Sequence, residues 1–295
     1  MNKSKNTSVP EVFSQNTSKE PTNLSKTQSY KSNPFYLCFD DLGTFFEKNT
    51  WWAIGITAGA LLMTFLSFIS NLVELLLRST SESAQAASTM NPEQTLAVSG
   101  IIGITIAIVI FTLFLSTALQ IFIGGMFAYV SLGNHDGRSV GFGEAFNAVV
   151  KRFWRLFFAQ ILATFKIIAW TFLFIIPGII AALRYALLPY VIMDESVEKK
   201  GVVDSHNRTK NLVSGRKFEV FGIMTVSGII PIIGPLVQLT GSAKLYRQLQ
   251  VFNDNNLEKP KVHWLNYIGL ILIAAFLLLT FGLVLLILVI LSNKT

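Results

Sequence analysis

Apolar residues along this chain run in five long stretches, at about 52–77, 97–132, 156–193, 220–243 and 264–292, with polar segments between them. A bilayer core of about 30 Å needs about 20 apolar residues in helical form, and each stretch reaches that length. In lipid the backbone has no water to bond, so such stretches predict helices that satisfy their own N–H and C=O groups. The expected fold class is all-α: a polytopic transmembrane helix bundle with broken or re-entrant helices, preceded by a disordered N-terminal tail. The tail covers 1–34, the polytopic membrane domain 35–250, and an additional C-terminal transmembrane helix 264–292. Within the domain, spans are expected at about 51–77, 97–132, 156–178 and 179–194, followed by a broken hairpin over 218–248.

Local patterns refine each element. Phe35, Phe39, Leu42, Phe45 and Phe46 fall at helical spacing, which predicts a short helix over 35–48 lying on the membrane surface. Trp51 and Trp52 follow, at the place of an aromatic belt. Gly55 and Gly59 permit a close helix approach, and Glu74 and Arg78 stand one turn apart as an ion-pair candidate. As one helix, 97–132 measures about 55 Å, longer than the bilayer is thick, and Gly124-Gly125 is the expected kink. Over 133–155, Phe142, Ala145, Phe146, Val149, Phe153 and Phe157 share one helical face while Lys151, Arg152 and Arg155 share another. That is a basic amphipathic helix leading into a span. Pro177-Gly178 is expected to turn the chain back, with a second kink at Pro189. Gly228, Pro231, Gly234 and Pro235 favour a helix hairpin, entering and leaving on one side, over a single straight span.

Charge gives the orientation. The segments 133–155, 194–217 and 244–261 carry four, six and four basic residues, against one in 78–96. The hairpin puts all three basic segments on one side; a single span would leave 244–261 on the other. Basic loops belong inside, so the N-terminus is expected in the cytoplasm, with the chain crossing the membrane several times. Of 295 residues 52% are hydrophobic and only 14% charged, against about 25% charged in soluble domains. Mean hydropathy is +0.52. The net charge of +7 sits beside apolar helices, so the expected partner is the lipid bilayer with its anionic headgroups, and no nucleic acid. The sequence names neither a protein partner nor an oligomeric state. A single cysteine, Cys38, allows no intrachain disulfide and no cysteine metal site. Residues 1–33 lack the apolar core of a signal peptide and are too polar to order themselves. Two Asn-Thr-Ser triplets, at Asn6–Ser8 and Asn16–Ser18, match a glycosylation acceptor but are common by chance in such text.

Several short motifs occur in a fixed order. Leu173–Ile179 reads LFIIPGI, Arg184–Asp194 reads RYALLPYVIMD, and Thr209–Phe221 reads TKNLVSGRKFEVF. Pro235 follows, and Ala243–Leu249 reads AKLYRQL. Over about 40–250 this resembles the bacterial polytopic membrane proteins related to the membrane domain of glycerophosphoryl diester phosphodiesterase. Leu42–Trp52 (LGTFFEKNTWW) is similar to that family's entry to its first span. The resemblance implies a multi-span membrane fold, usually of six spans, and brings no established catalytic residues. The chain departs from the pattern at Thr209, in a compressed helix pair after Gly215, and in the extra span 264–292.

Candidate chemistry is sparse. Gly133-Asn134-His135-Asp136 matches one ligand loop of two-metal phosphoesterases, but the other ligands are missing, so the expectation is a polar turn after a membrane helix. The three histidines, His135, His206 and His263, lie in loops rather than in an apolar stretch, which excludes the Ser–His and zinc-helix sets of intramembrane proteases. No phosphate-binding Gly-Lys-Ser/Thr loop occurs. No cofactor, no metal and no enzyme activity are expected. The remaining clue is a polar seam of Lys166, Arg184, Gln120, Tyr190 and Gln238, beside helix breaks at Pro177, Gly178, Pro189, Pro231 and Pro235. Charge inside a span needs a partner or water, so the seam is a candidate contact for a lipid headgroup or solute. The expected role is membrane organisation or accessory work by a non-enzymatic protein with basic loops at anionic lipid. The alternative is a transporter or lipid-handling protein built on the seam at Lys166 and the Pro-Gly breaks.

Overall fold

Asn33 starts the described fold. Its side chain accepts a hydrogen bond from the Phe35 N–H (3.0 Å), and Pro34 occupies the first helical position, where its missing N–H costs nothing. The computed structural model describes residues 30–62 except 60, positions 65, 71, 75 and 78, and residues 92–292 except 197–200, 231, 256 and 259. Side chains at 92–99 and 101 lie outside that description, as does Glu74 with its expected partnership to Arg78. The tail expected to be disordered and its two Asn-Thr-Ser triplets also lie outside it.

Among the described residues the chain is helical and has no strand. The helices are α1 (Pro34–Phe39), α2 (Leu42–Lys48), α3 (50–59), α4 (Pro92–His135), α5 (Phe142–Leu173) and α6 (Ile175–Tyr185). Then come α7 (Leu188–Met193), α8 (Val202–Val213), α9 (Lys217–Ile229), α10 (Gly234–Asp254), a 3-10 turn (Trp264–Tyr267) and α11 (Ile268–Ser292). From Lys31 onward they form one unit. Four stretches are long and apolar enough to cross a membrane: Ile102–His135, Phe142–Leu173, Ile175–Met193 and Trp264–Ser292. The fold is therefore a helical membrane bundle.

Several elements differ from the pattern-based expectation. The surface helix over 35–48 is two helices, divided at Asp40 and Asp41, whose carboxylates meet Lys244 on α10 and His135 on α4. α4 runs unbroken through Gly124-Gly125 for 44 residues, about 66 Å. Gly125 serves packing instead of a kink: a Cβ there would lie 2.6 Å from Leu156 Cδ2 on α5. The amphipathic face predicted from Phe142 starts α5, after a loop whose Gly137 has φ +77°. The reversal expected at Pro177-Gly178 falls at Phe174 (φ −157°, ψ 139°), three residues earlier. Pro177 sits in the first turn of α6, where a proline is tolerated. Gly178 lets the two helices touch, since a Cβ would come within 2.7 Å of the Thr171 Cα.

α9 and α10 pack against each other as a hairpin. α9 has 13 residues, about 20 Å, too short to cross a bilayer, and α10 returns beside it. A Cβ on Gly234 would lie 2.3 Å from the Ser227 carbonyl oxygen, so the turn closes only with glycine there. Pro235 occupies the first turn of α10, while Pro231 lies outside the described residues. α1 packs on the hairpin through Gly241, where a Cβ would lie 3.3 Å from the Cys38 Cα. α11 joins α9 only at its start: Gly222 faces Asn266, and Gly269 faces Thr225 and Phe221. From Leu270 on almost every side chain of α11 is exposed, as expected for a helix facing lipid.

Candidate functional site

Two features stand out, a charged anchor at one end of the bundle and a chamber deeper among the spans. The anchor is built by α10. Arg247 donates two hydrogen bonds to the Asp136 carboxylate (2.6 and 3.0 Å) and pairs with Asp194 at 2.9 Å. Asp194, fully buried, also accepts from the Tyr246 hydroxyl (2.7 Å) and from the Ser196 backbone and hydroxyl. One turn earlier Lys244 pairs with Asp40 and with Asp41 (3.1 Å), and its ammonium stands 4.3 Å from the Tyr36 ring centre. Asp41 in turn meets His135 Nδ1 at 2.5 Å. Burial pushes the Asp194 carboxyl up, but the Arg247 guanidinium and the Tyr246 and Ser196 hydrogen bonds outweigh it and hold it below the usual carboxylate range. Burial likewise raises Asp41, and His135 and Lys244 together bring it below that range.

This anchor joins four sequence motifs: FDDL at α1–α2, GNHD at the C-terminal end of α4, PYVIMD along α7 and KLYRQL in α10. His135 and Asp136 of GNHD are each engaged by a partner, Asp41 and Arg247, which accounts for them as structural groups. No group of three His, Cys, Asp or Glu side chains among the described residues is placed to hold a metal. The entry KNTWW clamps the loop after α4. Lys48 Nζ donates to the Gly137 carbonyl (3.2 Å), Asn49 bonds Asn134 (3.0 Å) and the Val140 N–H, and Trp52 Nε1 donates to the Val140 carbonyl (2.7 Å).

Many basic residues read from the sequence as lipid contacts face inward. Arg152 and Arg155 donate to the Met193 and Ile192 carbonyls (3.2 and 2.8 Å) and so cap the C-terminus of α7. Arg208 pairs with Asp254, and buried Arg216 pairs with buried Glu219 at 3.0 Å. Lys151, Lys210 and Lys261 are exposed.

The chamber has a volume of about 710 Å³ and lies between α3, α4, the α6–α7 junction and the tip of the α9–α10 hairpin. Gln120, Tyr190 and Gln238 of the expected seam all line it, together with the breaks at Pro189 and Pro235. The Tyr190 hydroxyl is occupied, donating to the Leu239 carbonyl (3.1 Å), and the Thr57 hydroxyl donates to the Ala53 carbonyl (2.9 Å). Gln120 and Gln238 are half-buried to exposed and make no hydrogen bond among the described residues. Leu61 and Ile232 on the rim are 69% and 72% exposed, so the chamber opens sideways. Lys166 and Arg184 do not line it. The seam thus divides in two: Lys166 stands 5.5 Å from the Tyr185 ring centre, and the edge of that ring meets His206 on α8 (4.9 Å). His206 Nε2 bonds the Ala159 carbonyl (3.0 Å); burial and the nearby Lys166 both lower its pKa and keep it neutral.

A second pocket of about 690 Å³ flanks the chamber near the Trp51-Trp52 belt, with Lys48 and Phe142 at its edge. Gly59, Ile123 and Phe127 line both cavities, and a Cβ on Gly59 would lie 3.2 Å from Phe127 Cζ. No protein-family model, curated protein or solved structure matches this chain.

Proposed function

We propose that this chain is a non-enzymatic, multi-span protein of the bacterial plasma membrane that holds an amphiphilic membrane constituent in its lateral chamber. The observation that carries the reading is the pair of unbonded carboxamides, Gln120 and Gln238, in one cavity built where the helices break. At a cavity mouth that faces lipid an amide has no water to bond, so leaving it without a partner carries a cost that a bound polar head recovers. A chamber of this size is within the range of small-ligand sites, and its exposed rim of Leu61 and Ile232 faces lipid rather than water. This supports lipid handling over a purely organising role. The ordered LFIIPGI, PYV, NLVSG and YRQL elements support a place beside the proteins related to the membrane domain of glycerophosphoryl diester phosphodiesterase. The charged anchor faces the cytoplasm in this reading, with Lys151, Lys210 and Lys261 free to meet anionic headgroups.

Native mass spectrometry of the protein extracted from its membrane tests the reading. The wild type should carry a lipid through mild purification, and the double variant Gln120→Leu, Gln238→Leu should lose it while remaining folded by circular dichroism. The same lipid retained by both proteins would refute the chamber as its site.

A further inference from the structure

We propose that α8 is a pH-sensitive latch, whose first turns are released from α5 when His206 takes up a proton. The latch is separate from the chamber and does not depend on what the chamber holds. α8 is a polar helix of 12 residues. Of its five buried side chains only Leu212 and Val213 are apolar, and both lie in the last turn. The inner face of the earlier turns is made of Ser205, His206 and Thr209. The Ser205 and Thr209 hydroxyls donate within α8 itself, to the Gly201 and Ser205 carbonyls (2.9 and 2.7 Å). His206 instead reaches across, with Nε2 on the Ala159 carbonyl of α5 (3.0 Å). The docking of these turns therefore leans on a titratable ring rather than on apolar burial.

The docked ring has no place for a second proton. His206 is 2% exposed. A neutral imidazole has one N–H, which Nε2 gives to Ala159, and the buried Nδ1 meets no partner. A proton added at Nδ1 would be a buried donor without an acceptor and a buried charge without a counter-charge. The groups that face the ring do not supply one. From α5 comes Lys166, whose ammonium stands 5.5 Å from the centre of the Tyr185 ring that also meets the imidazole. Arg155, one turn before Ala159, is turned to the Ile192 carbonyl. α6 brings Tyr185, and α7 brings Tyr190, which is bonded to the Leu239 carbonyl. The carboxylate of Asp254 on α10 is taken by Arg208 (3.8 Å), and Asp204 of α8 itself turns back to the Gly201 N–H (3.2 Å). Burial first, and Lys166 second, hold the ring's pKa below its ordinary value.

The direction of the switch follows. Once released into water the imidazole regains an ordinary pKa of about 6.5. Above that pH the ring is neutral docked or released, and α8 stays on α5. Below it the released ring binds the proton first, so falling pH favours release until the docked ring titrates in its turn. Leu212 and Val213 carry no titratable group, so the first turns lift while the last turn stays packed. A helix this short is marginal in water by itself, and its amides exchange when it leaves the bundle.

Hydrogen exchange of the α8 amides tests the latch, read by mass spectrometry on full-length protein in lipid nanodiscs and corrected for the intrinsic exchange rate at each pH. Between about pH 7.5 and about pH 5.5 the opening constant of 205–210 in the wild type should rise several-fold, up to about tenfold for one proton. His206→Phe keeps a ring and removes the titration, so its opening constant should be the same at both ends of that range. Lys166→Met removes the nearby cation and should reduce the rise. Release through the Arg208–Asp254 pair would instead begin only below about pH 4, where carboxylates titrate. A wild-type rise of about twofold or less, or an equal rise in His206→Phe, overturns the latch. An unchanged rise in Lys166→Met overturns the part given to the lysine and leaves burial of the ring as the cause. Exchange in α10 equal to wild type shows that each variant has kept its fold, and the wild-type profile decides the question even where a variant has not.

Discussion

Arg247 holds two carboxylates that nothing else neutralises as closely, one of them fully buried. Removing one partner of a buried pair leaves an uncompensated charge, so Arg247→Met should destabilise the protein by about 3–5 kcal/mol, read as a lowered thermal midpoint in detergent. Arg247→Lys should rescue little of this, because a single ammonium cannot reproduce the two-pronged contact with Asp136 while also reaching Asp194. Acid should act through the same groups. Asp194 and Asp41 both have carboxyl pKa values below the ordinary one in the folded state. Their contribution is then complete above the ordinary value of about 4 and is lost as pH falls below it toward the folded value. The midpoint should drop as pH falls below about 4, and Asp194→Asn should show a shallower drop from a lower start; an unchanged slope would contradict the pairing. The residues of this anchor stand in the sequence in plain view, yet Lys244 and Asp40 are separated by 204 positions. Nothing in one chain's spacing says which distant opposite charge a lysine will meet, so these groups read as free basic loops. Gln120, Tyr190 and Gln238 were legible as a set because polar side chains in apolar runs are costly and must converge or be satisfied. Lys166 was grouped with them by the same rule, but its helix faces α6 and α8 there, not the chamber.

That the long apolar stretches are helices followed from hydropathy, while the lengths of those helices and the positions of breaks did not. A proline inside an apolar run signals a break nearby, but Pro177 is equally at home in the first turn of a new helix, and the chain turns at Phe174. Glycines carry the same ambiguity between bending and packing. Gly124-Gly125 reads as a kink, yet the helix runs on unbroken and Gly125 is a contact point instead. Close approaches make the distinction testable. Gly178→Ala would drive a Cβ against the Thr171 backbone, which no rotamer relieves, and should cost about 1–3 kcal/mol. Gly143→Ala, with nothing within 4 Å on the surface of α5, should be neutral or slightly stabilising. Equal midpoints for the two variants would show that the α5–α6 reversal does not depend on that contact. Gly222→Ala should act at the other junction, where a Cβ would lie 3.1 Å from the Asn266 Cα and displace the start of α11. Faster proteolysis after residue 255 in this variant, with α1–α10 left intact, is the expected outcome.

At the scale of the molecule, charge collects at one end and apolar surface around the sides. The ends of α4 and α7, the α1–α2 junction and the middle of α10 meet in the anchor, so the α9–α10 hairpin enters from the charged end and returns to it. That geometry creates the chamber, because a straight fourth span would carry Gln238 and Pro235 past the α6–α7 break instead of ending against it. Cysteine labelling tests it directly, in a background that is nearly silent: Cys38 is fully buried and burial pushes its thiol up to about 12. Single cysteines at Ser214, before α9, at Asn255, after α10, and at Phe174, in the far turn, would be probed with a membrane-impermeant maleimide in vesicles of both orientations. Ser214→Cys and Asn255→Cys should label in the same orientation, and Phe174→Cys only in the opposite one. Labelling of Asn255→Cys together with Phe174→Cys would mean that the hairpin is a single crossing, and the chamber with its proposed occupant would fall with it.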